Sequence, residues 1–145
     1  MFNKQFEETV KASITNIQSL LTINFDNPHL NIHKVVFDDY YKPCFEVHIQ
    51  NPMNNTDSIE LDFEQLSYYL KHPKDLIVYY YKERYVDYLE WLKTGGLVQC
   101  SAITTTGIRC KNYINNKTYN LHEHIKLKNK GRMCFKHQSE PESQR

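Results

Sequence analysis

Apolar residues recur at three- and four-residue spacing from the start of the chain: Phe6, Val10, Ile14, Ile17 and Leu21, with Glu7, Glu8, Lys11 and Gln18 between them. That spacing predicts one amphipathic helix of roughly 18 residues, stopped by the turn cluster Asp26-Asn27-Pro28. The period then shortens to two. Ile32 to Phe37 is rich in β-branched side chains, and Phe45, Val47 and Ile49 alternate with Cys44, Glu46 and His48. Two strands are expected, joined by a hairpin loop at Asp38-Asp39-Tyr40-Tyr41-Lys42-Pro43. Ile59, Leu61 and Phe63 alternate as a third strand, giving a small antiparallel sheet with one face covered by the first helix.

Helical spacing returns at Asp62, which reads as a cap with Gln65 three residues later for the reciprocal bond. A short helix through Phe63, Leu66, Tyr69 and Leu70 should end at Lys71-His72. Pro73 opens the next one, since a missing N–H costs nothing in a first turn. From Leu76 the stripe runs through Ile77, Tyr80, Tyr81, Tyr85, Tyr88, Leu89 and Leu92, predicting one helix of about five turns that Gly95-Gly96 terminates. The expected fold class is α+β: an N-terminal helix, a three-stranded antiparallel sheet, two further helices and a small C-terminal module. Residues 1–95 form the body, 96–138 the module and 139–145 a flexible tail.

The length of 145 residues fits one domain, or one modest domain with a metal-held appendage. Hydrophobic content of 40% and aromatic content of 13% support a packed core rather than disorder. No run is apolar and long enough to span a bilayer, and the opening residues mix charges without a signal-peptide profile. An intracellular, cytoplasmic location is therefore expected, where clustered cysteines act as metal ligands sooner than as disulfides. The net charge of +1 hides an asymmetry: residues 1–94 carry nine Lys/Arg against fourteen Asp/Glu, and residues 95–145 carry nine against three. An acidic body with a basic end points to a polyanionic partner, or an acidic protein surface, for that end.

The basic end also holds three of the four cysteines. Cys100 and Cys110 flank a segment whose middle, Thr104-Thr105-Thr106-Gly107, reads as a hairpin turn between the strand-like flanks Leu97-Val98-Gln99 and Ile108-Arg109-Cys110. Cys134 and His137, separated by two residues, can face one ion from a tight turn. Folding the hairpin completes a Cys₃His set. Thiolates select soft or borderline metals and a d¹⁰ ion accepts tetrahedral geometry freely, so zinc suits it, in a structural role because no coordination position stays open. Ordinary buried thiols are the plainer alternative. His122 and His124 compete for the fourth position, although next-neighbour spacing reads first as solvent-facing polar residues.

The run Cys100-x-Ala102-x-Thr104-x-x-Gly107-x-Arg109-Cys110-Lys111 followed by Cys134-x-x-His137 resembles the small Cys₃His zinc modules of phage and mobile-element proteins. It is also similar to the first half of the double Cys₃His motif of some eukaryotic chromatin-complex subunits. The resemblance covers about 98 to 138, with twenty-three residues, Lys111 to Met133, between the two halves. It implies that the three cysteines and the histidine bind zinc, and that the module contacts nucleic acid.

Candidate contacts are Arg109, Lys111, Lys126, Lys128, Lys130, Arg132 and Lys136. Lys126, Lys128 and Lys130 alternate with Leu127 and Asn129, so an extended segment would set their amines along one face, at a pitch suited to a phosphate backbone. The tyrosines Tyr68, Tyr69, Tyr79, Tyr80, Tyr81, Tyr85 and Tyr88, with Trp91, read first as core. Three in succession cannot share one helix face, so at least one of Tyr79 to Tyr81 should meet solvent, able to stack on a base or anchor an interface. Asp38 or Asp39 with Glu46-Val47-His48 loosely resembles an Asp…Glu-x-Lys nuclease pattern, with histidine in place of lysine, in which carboxylates would hold Mg²⁺. The expectation is a non-enzymatic, zinc-stabilised binding protein, with nucleic acid or a nucleic-acid-handling complex as partner and no membrane. The alternative is a phage or mobile-element inhibitor that docks on a host protein complex, and a metal-dependent nuclease comes last.

Overall fold

The computed structural model describes residues 24–138, together with Lys4, Gln5, Glu8, Thr9, Lys11, Ala12 and Thr15. The stripe Phe6, Val10, Ile14, Ile17 and Leu21, on which the first helix was predicted, and the expected tail 139–145 lie outside the described residues. The architecture is mixed α/β, with a three-stranded antiparallel sheet and five helices among the described residues. The chain divides into two compact units, one of Met1–Gln50 with Asn55–Tyr80, the other of Asn51–Asn54 with Tyr81–Arg145.

In the first unit, strands β1 (Leu30–Phe37), β2 (Pro43–Asn51) and β3 (Asn55–Leu61) lie in that order. Phe45, Val47 and Ile49 are buried at alternate positions of β2, as period two requires. Leu30, Leu61, Leu66, Leu76 and Ile77 complete that core. The β1–β2 turn is an aspartate turn: Asp38 accepts from the backbone N–H of Tyr40 and Lys42 at 2.9 and 2.8 Å. Phe63 does not extend β3 as its alternation suggested; it opens α1 (Phe63–Lys71) because Asp62 forms the full capping box with Gln65. The Gln65 N–H donates to Asp62 at 2.8 Å, and the Asp62 N–H donates to the Gln65 side chain at 3.0 Å.

The single five-turn helix expected after Pro73 is instead two, α2 (Pro73–Tyr81) and α3 (Tyr85–Lys93). Lys82 between them has φ 58°, a left-handed conformation that a helix cannot pass through. Arg84 then caps α3 without a side-chain cap bond. Its guanidinium instead donates to the buried Asp87 at 2.8 Å. Neither glycine nor proline stands at the break, so no local residue signal marks it.

In the second unit, α3 ends in a Schellman motif: Gly96 N–H donates to Trp91 O and Gly95 N–H to Leu92 O, both glycines having positive φ. Strand β4 (Leu97–Gln99) follows and pairs antiparallel with β5 (Tyr113–Lys117), not with Ile108–Cys110 as its strand-like look suggested. Helix α4 (Leu121–Asn129) packs on α3 and β4, and a short α5 (Phe135–Gln138) closes the described chain. Tyr88, Trp91, Val98, Ile114 and Leu121 form the buried core. Gly96 is required at its position, because a Cβ there would stand 2.7 Å from the Thr118 carbonyl oxygen.

That close approach is part of a polar knot. Thr118 Oγ1 donates to Gly96 O at 2.6 Å and accepts from His124 Nδ1 at 3.3 Å, while Trp91 Nε1 donates to Thr118 O at 3.3 Å. The Thr118 hydrogen is committed to Gly96, so Nδ1 of His124 carries the proton and Nε2 is a buried lone pair without a partner among the described residues. His124 is thus not the solvent-facing residue its spacing suggested; helical geometry turns it inward and leaves His122 exposed beside Glu83 at 3.0 Å. Burial holds the His124 imidazole below its ordinary value, with Lys128 acting in the same sense and Glu90, Gly96 and Asp87 pulling it back. The unfolded chain therefore takes this proton more readily, and the stability involved is fully present above about pH 6.5 and lost as pH falls through and below it. Urea midpoints measured from pH 7.5 to 5.5 should fall more steeply for the native chain than for His124→Leu. Parallel slopes would show that His124 binds its proton equally well in the folded and the unfolded chain.

Candidate metal centre

The Cys₃His set is brought together. The ligating atoms of Cys100, Cys110, Cys134 and His137 all lie within 4.8 Å of one another, with the cysteines buried and the histidine half-buried. Cys110 Sγ is 3.9 Å from Cys134 Sγ, and His137 Nδ1 is 3.5 Å from Cys100 Sγ and 3.3 Å from Cys134 Sγ. Bonds of about 2.3 Å to sulfur and 2.05 Å to nitrogen around a tetrahedral ion imply edges of about 3.8 Å for S···S and 3.6 Å for S···N. The observed separations match those edges, so the residues present fit one metal ion. His137, and neither His122 nor His124, supplies the nitrogen.

Local hydrogen bonds fix each ligand. The hairpin closes through Cys110 N–H to Ala102 O at 2.8 Å, Thr104 N–H to Ile108 O at 2.8 Å and Gly107 N–H to Thr104 O at 2.9 Å, with Gly107 at φ 79°. The other pair needs only one turn: His137 N–H donates to Cys134 O at 2.9 Å. Ser101 joins the two halves, its N–H donating to Arg132 O at 3.1 Å and its hydroxyl to Gly131 O at 2.6 Å. Gln99 Nε2 donates to Cys110 O at 2.8 Å, tying β4 to the hairpin's far end.

Two of the three sulfurs, Cys100 and Cys134, are prepared as anions. Ala102 N–H and Cys134 N–H point at Cys100 Sγ at 3.4 and 3.2 Å, and Asn112 N–H at Cys110 Sγ at 3.4 Å. Such bonds favour the thiolate and orient it. At Cys134 burial pushes the thiol up, but hydrogen bonds from His137, Cys100 and Asn112 outweigh it and bring it down to about 6. Cys100 behaves likewise: burial opposes ionisation, and the Cys134 and Ala102 amides with His137 more than reverse it. At Cys110 the Asn112 amide favours the thiolate, yet burial and the neighbouring thiols keep the group raised. The fourth cysteine, Cys44, is not a member of this group, and burial followed by Asp38, Glu60 and Asp62 raises it.

The cationic residues fall into two sets. Lys126, Lys128 and Lys130 do not line an extended face, because Lys126 and Lys128 belong to α4 and Lys130 caps it. On a helix, residues two apart point to opposite sides. Lys128 is turned into the fold, paired with Glu90 and, at 3.7 Å, with the buried Asp87. Arg109 is exposed yet braces the ligand loop, donating to Cys100 O at 2.9 Å and Gln99 O at 3.2 Å. Lys111, Lys126, Lys130, Arg132 and Lys136 are exposed, as are Ile103, Ile108, Met133 and Phe135.

Asp38 and Asp39 belong to no group of three or more residues able to hold a metal among the described residues. Glu46 and His48 meet His33 instead, a residue that alternation alone gave no reason to single out. Of the tyrosines, Tyr88 is buried and Tyr68 and Tyr79 are exposed, Tyr68 donating to Asp75 at 2.9 Å. No helix among the described residues is long and apolar enough to cross a membrane. No family model matches this chain, and comparison with curated proteins and with solved structures gives no match either.

Proposed function

We propose that this protein is a non-enzymatic binding module in which Cys100, Cys110, Cys134 and His137 hold a structural zinc ion, with nucleic acid as the favoured partner. Zinc is preferred because three thiolates and an imidazole form a closed, soft donor set that leaves no position for substrate. One observation carries the choice of partner: the exposed cations Lys111, Arg132 and Lys136 flank the ligands in the chain, on segments the ion itself would hold rigid. Phe135, 82% exposed beside Cys134, adds an aromatic face on which an unpaired base can stack. The resemblance to phage and mobile-element zinc modules agrees with this reading.

The test is binding to a random single-stranded oligonucleotide across a salt series. Affinity should fall with salt, and Lys111→Ala with Arg132→Ala and Lys136→Ala should flatten the log–log slope by about 2. A second reading, an inhibitor that docks on a host nucleic-acid-handling complex, is favoured by the exposed Ile103, Ile108 and Met133, apolar side chains that neither phosphate contact nor base stacking uses. Oligonucleotide binding that is absent, or unmoved by the triple variant, would remove the nucleic-acid reading and leave the docking one.

A further inference from the structure

We propose a second metal site, open and exchangeable, formed by His33, Glu46 and His48 on the outer face of the sheet and suited to a divalent first-row transition ion. It lies in the first unit and is independent of the function proposed for the Cys₃His centre. The argument starts from strand register. Ile32 faces Val47 and Lys34 faces Glu46, so His33 is an extra residue with no partner of its own, a β-bulge. Before the bulge, Leu30 and Ile32 share the core face with Ile49 and Val47; after it, Val35 shares that face with Phe45. The slip therefore places His33 and Lys34 in succession on the opposite face, where Glu46 and His48 also stand. An unbroken ladder would have sent Lys34 to the core side.

The ligating atoms of His33, Glu46 and His48 lie within 4.8 Å of one another. His48 Nε2 is 3.0 Å from Glu46 Oε1, close to the roughly 3.3 Å edge that a nitrogen and an oxygen span around one tetrahedral ion. The other ring nitrogen, Nδ1, meets Thr56 Oγ1 at 3.4 Å. A ligating histidine characteristically donates its second N–H to an oxygen of this kind, which fixes the tautomer and leaves Nε2 for the metal. Glu46 and His48 keep only 18% and 20% side-chain exposure, so their positions are held by packing. His33 is exposed and stacks on the His48 ring at 4.0 Å between centroids. Binding requires the His33 ring to turn out of that stack so that its nitrogen can face the same ion as Glu46 and His48.

Two imidazoles and one carboxylate suit zinc, nickel or ferrous iron and leave coordination positions to water, unlike the closed thiolate centre. Lys34 Nζ, 3.2 Å from Glu46 Oε2, opposes the charge of an incoming ion. Its removal should tighten the site.

The experiment uses the full chain with one equivalent of zinc already bound, titrated with Ni²⁺ and followed by amide NMR and calorimetry. One further equivalent should bind, with paramagnetic broadening confined to residues near 33, 46 and 48. His48→Ala and Glu46→Gln should abolish this second event, Thr56→Val should weaken it by about 10-fold, and Lys34→Ala should strengthen it. Unchanged amide shifts at the sheet-core residues Phe45, Val47 and Ile49 in every variant show that the first unit stays folded. No second equivalent, broadening centred on His29, His72 or His122, or binding unchanged in His48→Ala would each overturn the proposal.

Discussion

Cys110→Ser is expected to abolish tight zinc binding and to unfold the hairpin and the α5 segment while the rest of the second unit stays folded. The buried group around the ligands consists of Cys100, Ala102, Cys110 and Cys134, three thiols and one methyl, far too little apolar surface to hold these loops. A structural zinc site contributes about 10–16 kcal/mol of apparent binding energy, and in such a place that energy is folding energy. A serine hydroxyl does not ionise near neutrality, so the variant offers two thiolates and an imidazole around an incomplete shell. Hydrogen exchange should therefore lose protection at the amides of Thr104, Gly107, Cys110 and His137, all of which close the ligand loops. The Thr118 amide, bonded to Gly96 O at 2.8 Å, should keep its protection, because Tyr88, Trp91, Val98, Ile114 and Leu121 bury a separate core. Elemental analysis would show the metal gone. If Thr118 exchanged as fast as Gly107, everything after Gly96 would depend on the ion; if Gly107 stayed protected, the ion would hold nothing.

The parts of this centre that could be read from the sequence are those built from short-range rules. Cys134-x-x-His137 needs only one turn, and Thr104 to Gly107 needs only a glycine at positive φ, so both are visible in a few residues. The link between them is long-range: Ser101 reaches Gly131 and Arg132, some thirty positions away, through bonds no spacing announces. The same division runs through the fold. Asp62 and Gln65 signal α1 because both bonds of the cap are local. The break at Lys82 is invisible because Leu76 to Leu92 keeps one stripe across it. Helix α4 was hidden by polar residues in its inward positions: His124 is buried in the Thr118 knot and Lys128 is held by Asp87 and Glu90. An alternation of lysines then imitated a strand, although Asn120, accepting from Glu123 N–H at 2.8 Å, marked a helix start. The bulge at His33 is likewise a product of register, which only the paired strands define.

Charge was legible as an imbalance but not as a surface. The acidic and basic halves meet inside the second unit, where Asp87 and Glu90 from the acidic stretch engage Lys128 from the basic one. Part of the positive excess read along residues 95–145 thus serves folding. Of the exposed cations, Lys111, Arg132 and Lys136 lie beside the ligands in the chain.

Trp91→Ala should be the most destabilising single change away from the ligands, costing about 3–5 kcal/mol, the range for deleting a buried large aromatic. Trp91 is 1% exposed, meets Tyr81 edge-on at 5.7 Å between ring centroids, and donates through Nε1 to the Thr118 carbonyl at 3.3 Å. Tyr81 in turn stacks on Tyr88 at 5.4 Å. Helix α3 has nine residues, too few to persist without packing, so removing the central ring deprives it of its main anchor. Trp91→Phe keeps most of the apolar contact and loses the indole N–H; its smaller cost should approach the 0.5–1.5 kcal/mol or so of one hydrogen bond plus a modest cavity. Urea unfolding followed by circular dichroism measures both, and equal midpoints for Trp91→Ala and the native chain would show that this core carries no stability. Because the chain has one tryptophan, the native protein offers a complementary reading. Adding a chelator should leave Trp91 emission in its buried, blue-shifted state while the hairpin amides exchange, because the proposed ion would hold the ligand loops and the aromatic core a different part of the same unit.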